Sequence, residues 1–135
     1  MITITLFLMI LCHIIDDFVL QTVLGKLKQK SWWEAQPEYD ELYKNDYKIS
    51  LLMHSLEWSI MINLPLIFLY SFGGLGLFLS VAINTAIHYI VDDAKANKKK
   101  INLVTDQYIH LCQVCLTLLV FIVVSLFTDI ELWAV

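Results

Sequence analysis

Hydrophobic residues fall into four long runs that polar segments separate. These runs predict four helices, with approximate bounds at residues 2–25, 48–70, 72–93 and 101–128. Each run is close to the ~20 residues that a helix needs to cross about 30 Å of hydrocarbon. Two of the three connections are short, which favours antiparallel neighbours. We therefore expect an all-α integral membrane protein, a four-helix antiparallel bundle that forms a single domain over residues 1–135.

The connection between the first two runs, residues 26–47, is the only long one. It mixes charge with aromatic residues that are typical of the membrane-water interface, namely Trp32, Trp33, Tyr39, Tyr43 and Tyr47. The segment is either a short interfacial helix or a flexible loop with aromatic anchors.

Composition supports the membrane assignment, since 59% of residues are hydrophobic and the mean hydropathy is +0.68. Every basic residue is a lysine, and all lie in the first or the third connection: Lys26, Lys28, Lys30, Lys44, Lys48, Lys95, Lys98, Lys99 and Lys100. The opposite end carries Asp129 and Glu131 and no basic side chain. By the positive-inside rule, we expect the lysine end to be cytoplasmic and both termini to lie on the outer side of the inner (cytoplasmic) membrane. We expect no nucleic-acid partner.

Histidines and aspartates interrupt the apolar runs in a regular pattern. Each run holds one histidine, and three of the four have an aspartate four residues away: His13 with Asp17, His88 with Asp92, His110 with Asp106, and His54 alone. Residues four apart project from the same face of a helix. Ionisable groups are costly in hydrocarbon, so these faces must point into the bundle. Counted along the helices, they lie roughly 5 to 20 Å from the lysine-bearing ends.

Imidazole and carboxylate groups on facing helices are the ligands of metal centres in helical bundles. This donor set suits zinc, with manganese or iron as alternatives, better than calcium or magnesium. We predict a centre of one or two ions whose ligands are His13, Asp17, His54, His88, Asp92, Asp106 and His110. The alternative is a polar network that holds the helices together through hydrogen bonds alone.

Neighbouring residues are candidates for supporting roles. Asp16 and Asp93 adjoin the ligands, but they point about 100° away from Asp17 and Asp92 on a regular helix. We assign them to proton transfer, with support of the ligands as the alternative. Four further residues are predicted to support the ligands or contact substrate: Gln21, Glu57, Lys95 and Gln107. Lys95 would either bind a substrate phosphate or pair with Asp92.

Cysteines are assigned no chemistry. Cys112 and Cys115 form a C-x-x-C pattern, yet neither shares the helix face of His110. Both are expected to be small apolar side chains.

The order of these motifs resembles a known family. HIIDDFVLQ, a later lone histidine, HYIVDDAK and DQYIH are similar to a family of small bacterial and bacteriophage membrane proteins known as domain of unknown function 3307. The resemblance covers nearly the whole chain and implies a membrane protein of bacterial or phage origin. It implies no activity. The style of the site is also similar to membrane-bound metal-dependent hydrolases, by analogy.

Three functions fit these features. The preferred hypothesis is a metal-dependent hydrolase that acts on an amphiphilic, phosphorylated or lipid-linked substrate from the cytoplasmic side. Di-iron oxidation would use the same ligands. A metal-ion or proton transporter is the second hypothesis, and with four helices it would require a homo-oligomer. The third is a non-enzymatic accessory protein with a structural metal.

Overall fold

The computed structural model describes residues 1–37 and 41–127. Every regular element in those ranges is helical: α1 (Ile2–Ile14), which continues as a π-helical turn (Ile15–Leu20), α2 (Leu24–Leu27), α3 (Lys30–Glu34), α4 (Asp46–Tyr70), α5 (Gly74–Ala96) and α6 (Leu103–Ser125). Four predictions fall outside the described residues: those on Tyr39, Asp129 and Glu131, and position 128 of the fourth helix.

Four helices are long and apolar enough to cross a membrane, namely Ile2–Leu20, Asp46–Tyr70, Gly74–Ala96 and Leu103–Ser125. Their outward faces carry exposed large apolar side chains such as Phe7, Phe68 and Phe78. In water such a surface would be an aggregation hazard, whereas lipid solvates it without cost. The predicted fold class, a four-helix membrane bundle, is confirmed.

The bundle is closed around a central axis. α4 packs against α1 and α5, α5 packs against α6, and α6 returns to α1. Towards the turn between α4 and α5, the interior is apolar and close-packed: Met9, Trp58, Ile62, Leu66, Phe72, Val114, Leu118 and Phe121. Towards the lysine-bearing end, the interior is polar. The bundle therefore consists of a dry half and a polar half.

Helix ends differ from the predicted bounds for local reasons. The first helix changes to a π turn at Ile15–Leu20 rather than running on to residue 25. α5 begins at Gly74, later than predicted, because Ser71 and Gly74 adopt left-handed φ angles of 53° and 61° that break the helix. At the start of α6, the Asn102 side chain accepts a hydrogen bond from the Thr105 backbone N–H at 2.9 Å.

The long connection contains two short helices and packs on the polar end of the bundle. Trp33 donates its indole N–H to the Leu27 carbonyl at 2.7 Å and stacks on Tyr43. Asn97, just beyond α5, donates to the Lys28 carbonyl and accepts from the Lys30 backbone N–H. These contacts hold the segment against the end of α5.

The dry half should depend on packing. Leu66→Ala removes a fully buried side chain from α4 and should lower the free energy of unfolding by about 2 kcal/mol. Leu52→Ala, on the same helix but 45% exposed, is the matched control and should have little effect. Equilibrium unfolding in mixed micelles measures both. Equal losses would show that Leu66 does not pack as the structure places it.

Candidate metal centre

Three imidazole rings converge on one carboxylate at the centre of the polar half. The Nε2 atoms of His54 and His88 lie 3.2 Å apart, and they are 3.3 and 3.6 Å from Oδ2 of Asp92. Nε2 of His110 lies 3.3 Å from the other oxygen, Oδ1. All four side chains are fully buried. The two oxygens of Asp92 thus face different imidazole groups.

Two further carboxylates, from Asp17 and Asp106, extend this arrangement. Asp17 places Oδ1 3.6 Å from Nε2 of His54. Asp106 places Oδ1 3.4 Å from Nε2 of His110. Donor atoms therefore come from the π turn, α4, α5 and α6, and they surround Asp92.

These donors fit a metal ion. Two nitrogen ligands at 2.0–2.1 Å from a tetrahedral ion lie about 3.3 Å apart, close to the 3.2 Å between His54 and His88. Donor atoms lie within 4.8 Å of one another in three sets: Asp17 with His54 and His88; His88 with Asp92 and His110; and Asp17 with Asp106 and His110. The buried histidines and aspartates could therefore hold a metal ion.

His13 has a different environment from the other three histidines. Trp58 donates its indole N–H to Nδ1 of His13 at 2.8 Å, so Nδ1 is unprotonated. The protonated Nε2 then donates to Oε1 of Gln107 at 3.1 Å. Both ring nitrogens are engaged, which leaves no donor atom for a metal. The predicted ligand role of His13 does not agree with this geometry.

Gln107 connects His13 to the histidine and aspartate side chains around Asp92, which we call the cluster. Its amide N–H₂ donates to Oδ2 of Asp17 at 2.5 Å and to Asp106 at 3.2 Å. Gln21 donates to the other oxygen of Asp17 at 2.6 Å. Gln21 and Gln107, expected to support the ligands, both contact Asp17 and fix its orientation.

Two lysines reach into the cluster. Lys28 is buried and its Nζ lies 2.5 Å from Oδ2 of Asp92. Lys95 lies 2.5 Å from Oδ2 of Asp106 rather than pairing with Asp92, the partner predicted as one alternative. Lys28, expected only to set topology from a loop, is therefore part of the polar interior.

Carboxylates outnumber lysines in the cluster. Four carboxylates, from Asp16, Asp17, Asp92 and Asp106, face the two ammonium groups of Lys28 and Lys95. With all carboxylates ionised and the histidines neutral, two negative charges remain. Either two protonated histidines or a bound divalent cation would balance them, because unpaired charge is costly in a low-dielectric interior.

The π turn explains why two adjacent aspartates are both buried. Its extra residue per turn is visible in the bond from the Gln21 N–H to the Asp16 carbonyl, at 3.1 Å. A regular helix would turn Asp16 about 100° away from Asp17. Instead, Oδ2 of Asp16 lies 4.0 Å from Nδ1 of His54, on the far side of that ring from Asp92. This position favours orienting His54 over contact with reacting atoms.

The structure does not bring Asp93 or Glu57 into the cluster. Asp93 lies at the end of α5, pairs with Lys98 at 2.7 Å and accepts from the Asn97 amide. The hydrogen bond from Lys98 to Asp93 raises the pKa of Lys98 above its ordinary value. Glu57 is partly buried on α4 and belongs to none of the three donor sets. The proton-transfer role predicted for Asp93 has no support in this geometry.

Trp58 separates the cluster from the dry half. Its indole stacks on His88 with ring centroids 4.3 Å apart, and the His110 ring lies 5.4 Å away. Beyond it lie the apolar side chains of Met9, Ile62 and Val114. The cluster is therefore closed on the side of the dry half.

Sequence reasoning missed Lys28, Trp58 and Asn97. Trp58 follows His54 by four residues, so the sequence could have predicted that the two side chains share one helix face. Lys28 and Asn97 carried no such signal, because their contacts join segments that are distant in sequence.

Comparisons with known proteins provide no match: none was found among family models, curated proteins or solved structures.

Asp92 should depend on Lys28 for charge compensation. With EDTA present, Lys28→Met should lower the free energy of unfolding by about 3 kcal/mol, because it leaves a buried carboxylate unpaired. Lys26→Met, at an exposed neighbouring position, is the control. The double variant Lys28→Met/Asp92→Asn should recover much of the loss, as equilibrium unfolding would measure. Equal effects of the two lysine variants would contradict the buried pair.

Proposed function

We propose that this protein is a membrane-embedded, metal-dependent hydrolase that acts on an amphiphilic substrate. The convergence of three imidazole Nε2 atoms on Asp92 is the observation that carries the proposal. Structural polar networks in membrane bundles need only pairwise hydrogen bonds. Here the Nε2 atoms of His54, His88 and His110 all face one shared carboxylate. Convergence of several donors on one point is typical of ligands.

Six residues form the overlapping ligand sets and would hold one or two ions: His54, His88, His110, Asp17, Asp92 and Asp106. Zinc is the preferred metal, with manganese and iron as alternatives. A bound ion would lower the pKa of water and polarise the ester or phosphoryl group to be cleaved.

Side chains outside the ligand sets supply positioning. Asp16 lies 4.0 Å from Nδ1 of His54 and would act on that ring electrostatically, and Gln107 would orient Asp17. Lys95 is partly exposed at the lysine-bearing end and would attract an anionic group of the substrate. In the hydrolysis, a water oxygen bonds to the carbonyl carbon or phosphorus, and the bond to the leaving oxygen breaks. The leaving oxygen takes up a proton.

Substrate class and orientation follow from the position of the cluster. Because four apolar helices surround the site, an amphiphile embedded in the bilayer reaches it more readily than a freely soluble molecule. We propose that the lysine end faces the cytoplasm of a bacterial cell and that both termini lie outside. Membership of the small bacterial and bacteriophage family suggested by the motifs is part of this proposal.

A transporter is the second candidate, and one observation favours it. A hydrogen-bonded polar ladder continues from the cluster into the dry half, linking Asn63, Ser80, Asn84, Gln113 and Thr117. Such ladders can carry protons or ions. However, Trp58, Ile62 and Leu66 are fully buried beside it, so the described bundle offers no wide path between its two ends. This closure favours the hydrolase.

Metal content tests the centre. Purified wild-type protein should contain one or two transition-metal ions per chain by elemental analysis, and His88→Ala should lower metal affinity at least about 100-fold. His13→Gln is the matched control, since His13 is bonded through both nitrogens and should not be needed as a ligand. A metal-free but folded wild-type protein would overturn the proposal. Loss of metal in His13→Gln equal to that in His88→Ala would instead make His13 a ligand.

Turnover and flux separate the two candidate functions. Metal-loaded protein in vesicles should hydrolyse long-chain p-nitrophenyl esters or phosphodiesters, and His110→Ala should reduce the rate about 100-fold or more. Asn63→Ala, on the polar ladder but outside the ligand sets, should retain hydrolysis. Metal-ion or proton flux that Asn63→Ala abolishes, in the absence of hydrolysis, would establish the transporter instead.

A further inference from the structure

A long cavity lies between α5 and α6 on the lipid-facing side of the bundle. Its volume is about 440 Å³, and its walls are almost entirely apolar, with Ile83 and Leu79 on α5 facing Leu116 and Val120 on α6. The lining runs from Gly76 to Ile87 along α5 and from Ile109 to Val124 along α6. We call this cavity the α5/α6 groove.

One end of the groove adjoins the metal centre. Ile87 and Ile109 line that end and directly precede His88 and His110 in the chain. A hydrocarbon chain that lies along the groove would therefore have one end beside these two candidate ligands.

Length and lining indicate what kind of molecule would fit. At 1.5 Å per helical residue, the groove is roughly 16 to 22 Å long, which is more than half the ~30 Å hydrocarbon thickness. This length and the apolar walls suit a hydrocarbon chain that lies along the groove.

Gln113 adds a polar feature at the head of the groove. It is 5% exposed, and its amide N–H₂ donates to the Asn84 side chain and carbonyl. Its Oε1 has no hydrogen-bond partner among the described residues. This oxygen can accept a hydrogen bond from a hydroxyl or amide group near the head of a chain.

We infer that the α5/α6 groove binds a hydrocarbon chain of the substrate, with the scissile head group on the side of the metal centre. This inference rests on the proposed function and narrows the substrate class to long-chain amphiphiles, such as alkyl or acyl esters and phosphates.

Photolabelling tests the groove without requiring turnover. The probe is palmityl phosphate with a diazirine near the end of its chain, added to the full-length protein in phosphatidylcholine vesicles. Labelling should map to groove residues of α5 and α6 and should be displaced by unlabelled palmityl phosphate. It should occur equally in wild type and in His88→Ala, because the groove does not need the metal.

The chain offers a matched pair of variants on one helix. Cys112 lines the groove, whereas Cys115 is exposed and lies outside the lining. Cys112→Phe should fill the groove and reduce labelling roughly tenfold, while Cys115→Phe should leave it unchanged. Ile83→Trp fills the groove from α5 and guards against a local folding defect of Cys112→Phe.

Failure of the groove and failure of the proposed function give different results. Labelling that competitor does not displace, or that Cys112→Phe and Ile83→Trp do not reduce, would assign the cavity to bulk lipid and overturn the inference. Efficient disulfide cross-linking of two chains through Cys112 would assign it to a second copy, also overturning it. Saturable labelling of the groove without hydrolysis of any palmityl ester would overturn the proposed function. The assignment of the groove as a binding site for a hydrocarbon chain would then still hold.

Discussion

The cost of placing charge inside hydrocarbon determines how this bundle is arranged. An isolated charged side chain at the centre of a membrane helix costs about 3 kcal/mol or more, and Asp92 is fully buried. Its compensation comes from Lys28 before α3, His54 on α4 and His110 on α6. Because each partner belongs to a different segment, satisfying this one carboxylate fixes the positions of those segments relative to α5. The contacts that stabilise the charge are also those that create the candidate metal centre.

The division into a polar and a dry half gives the site its direction. Trp58 closes the cluster towards the apolar interior, and the long connection with Lys28 covers it from the other end. The candidate ligands are therefore enclosed at both ends of the polar half. On the lipid side, the α5/α6 groove runs along the two helices that carry His88 and His110, where the proposed hydrocarbon chain would lie.

Precise orientation of the ligands depends on residues that are not ligands. The chain from Trp58 through His13 and Gln107 to Asp17 fixes one tautomer of His13 and one orientation of the Gln107 amide. The π turn places Asp16 behind His54. Such supporting contacts commonly tune metal affinity by 10- to 100-fold, and here they link α1, α4 and α6 through side chains alone.

Much of the fold and part of the candidate site could be predicted from local pattern. Four apolar runs predicted four helices, and the four-residue spacing predicted that Asp92 and His88, or Asp106 and His110, share a face, because helical periodicity is a local property. The sequence by itself therefore determined the helices and the inward faces. It did not determine which groups meet across helices. Lys28 pairs with Asp92, Lys95 with Asp106, and His13 with Trp58 and Gln107, and Asp16 turns inward through a π turn. Those outcomes depend on distances between segments far apart in the chain, and only the tertiary structure, in which every buried charge must find a partner, decided them.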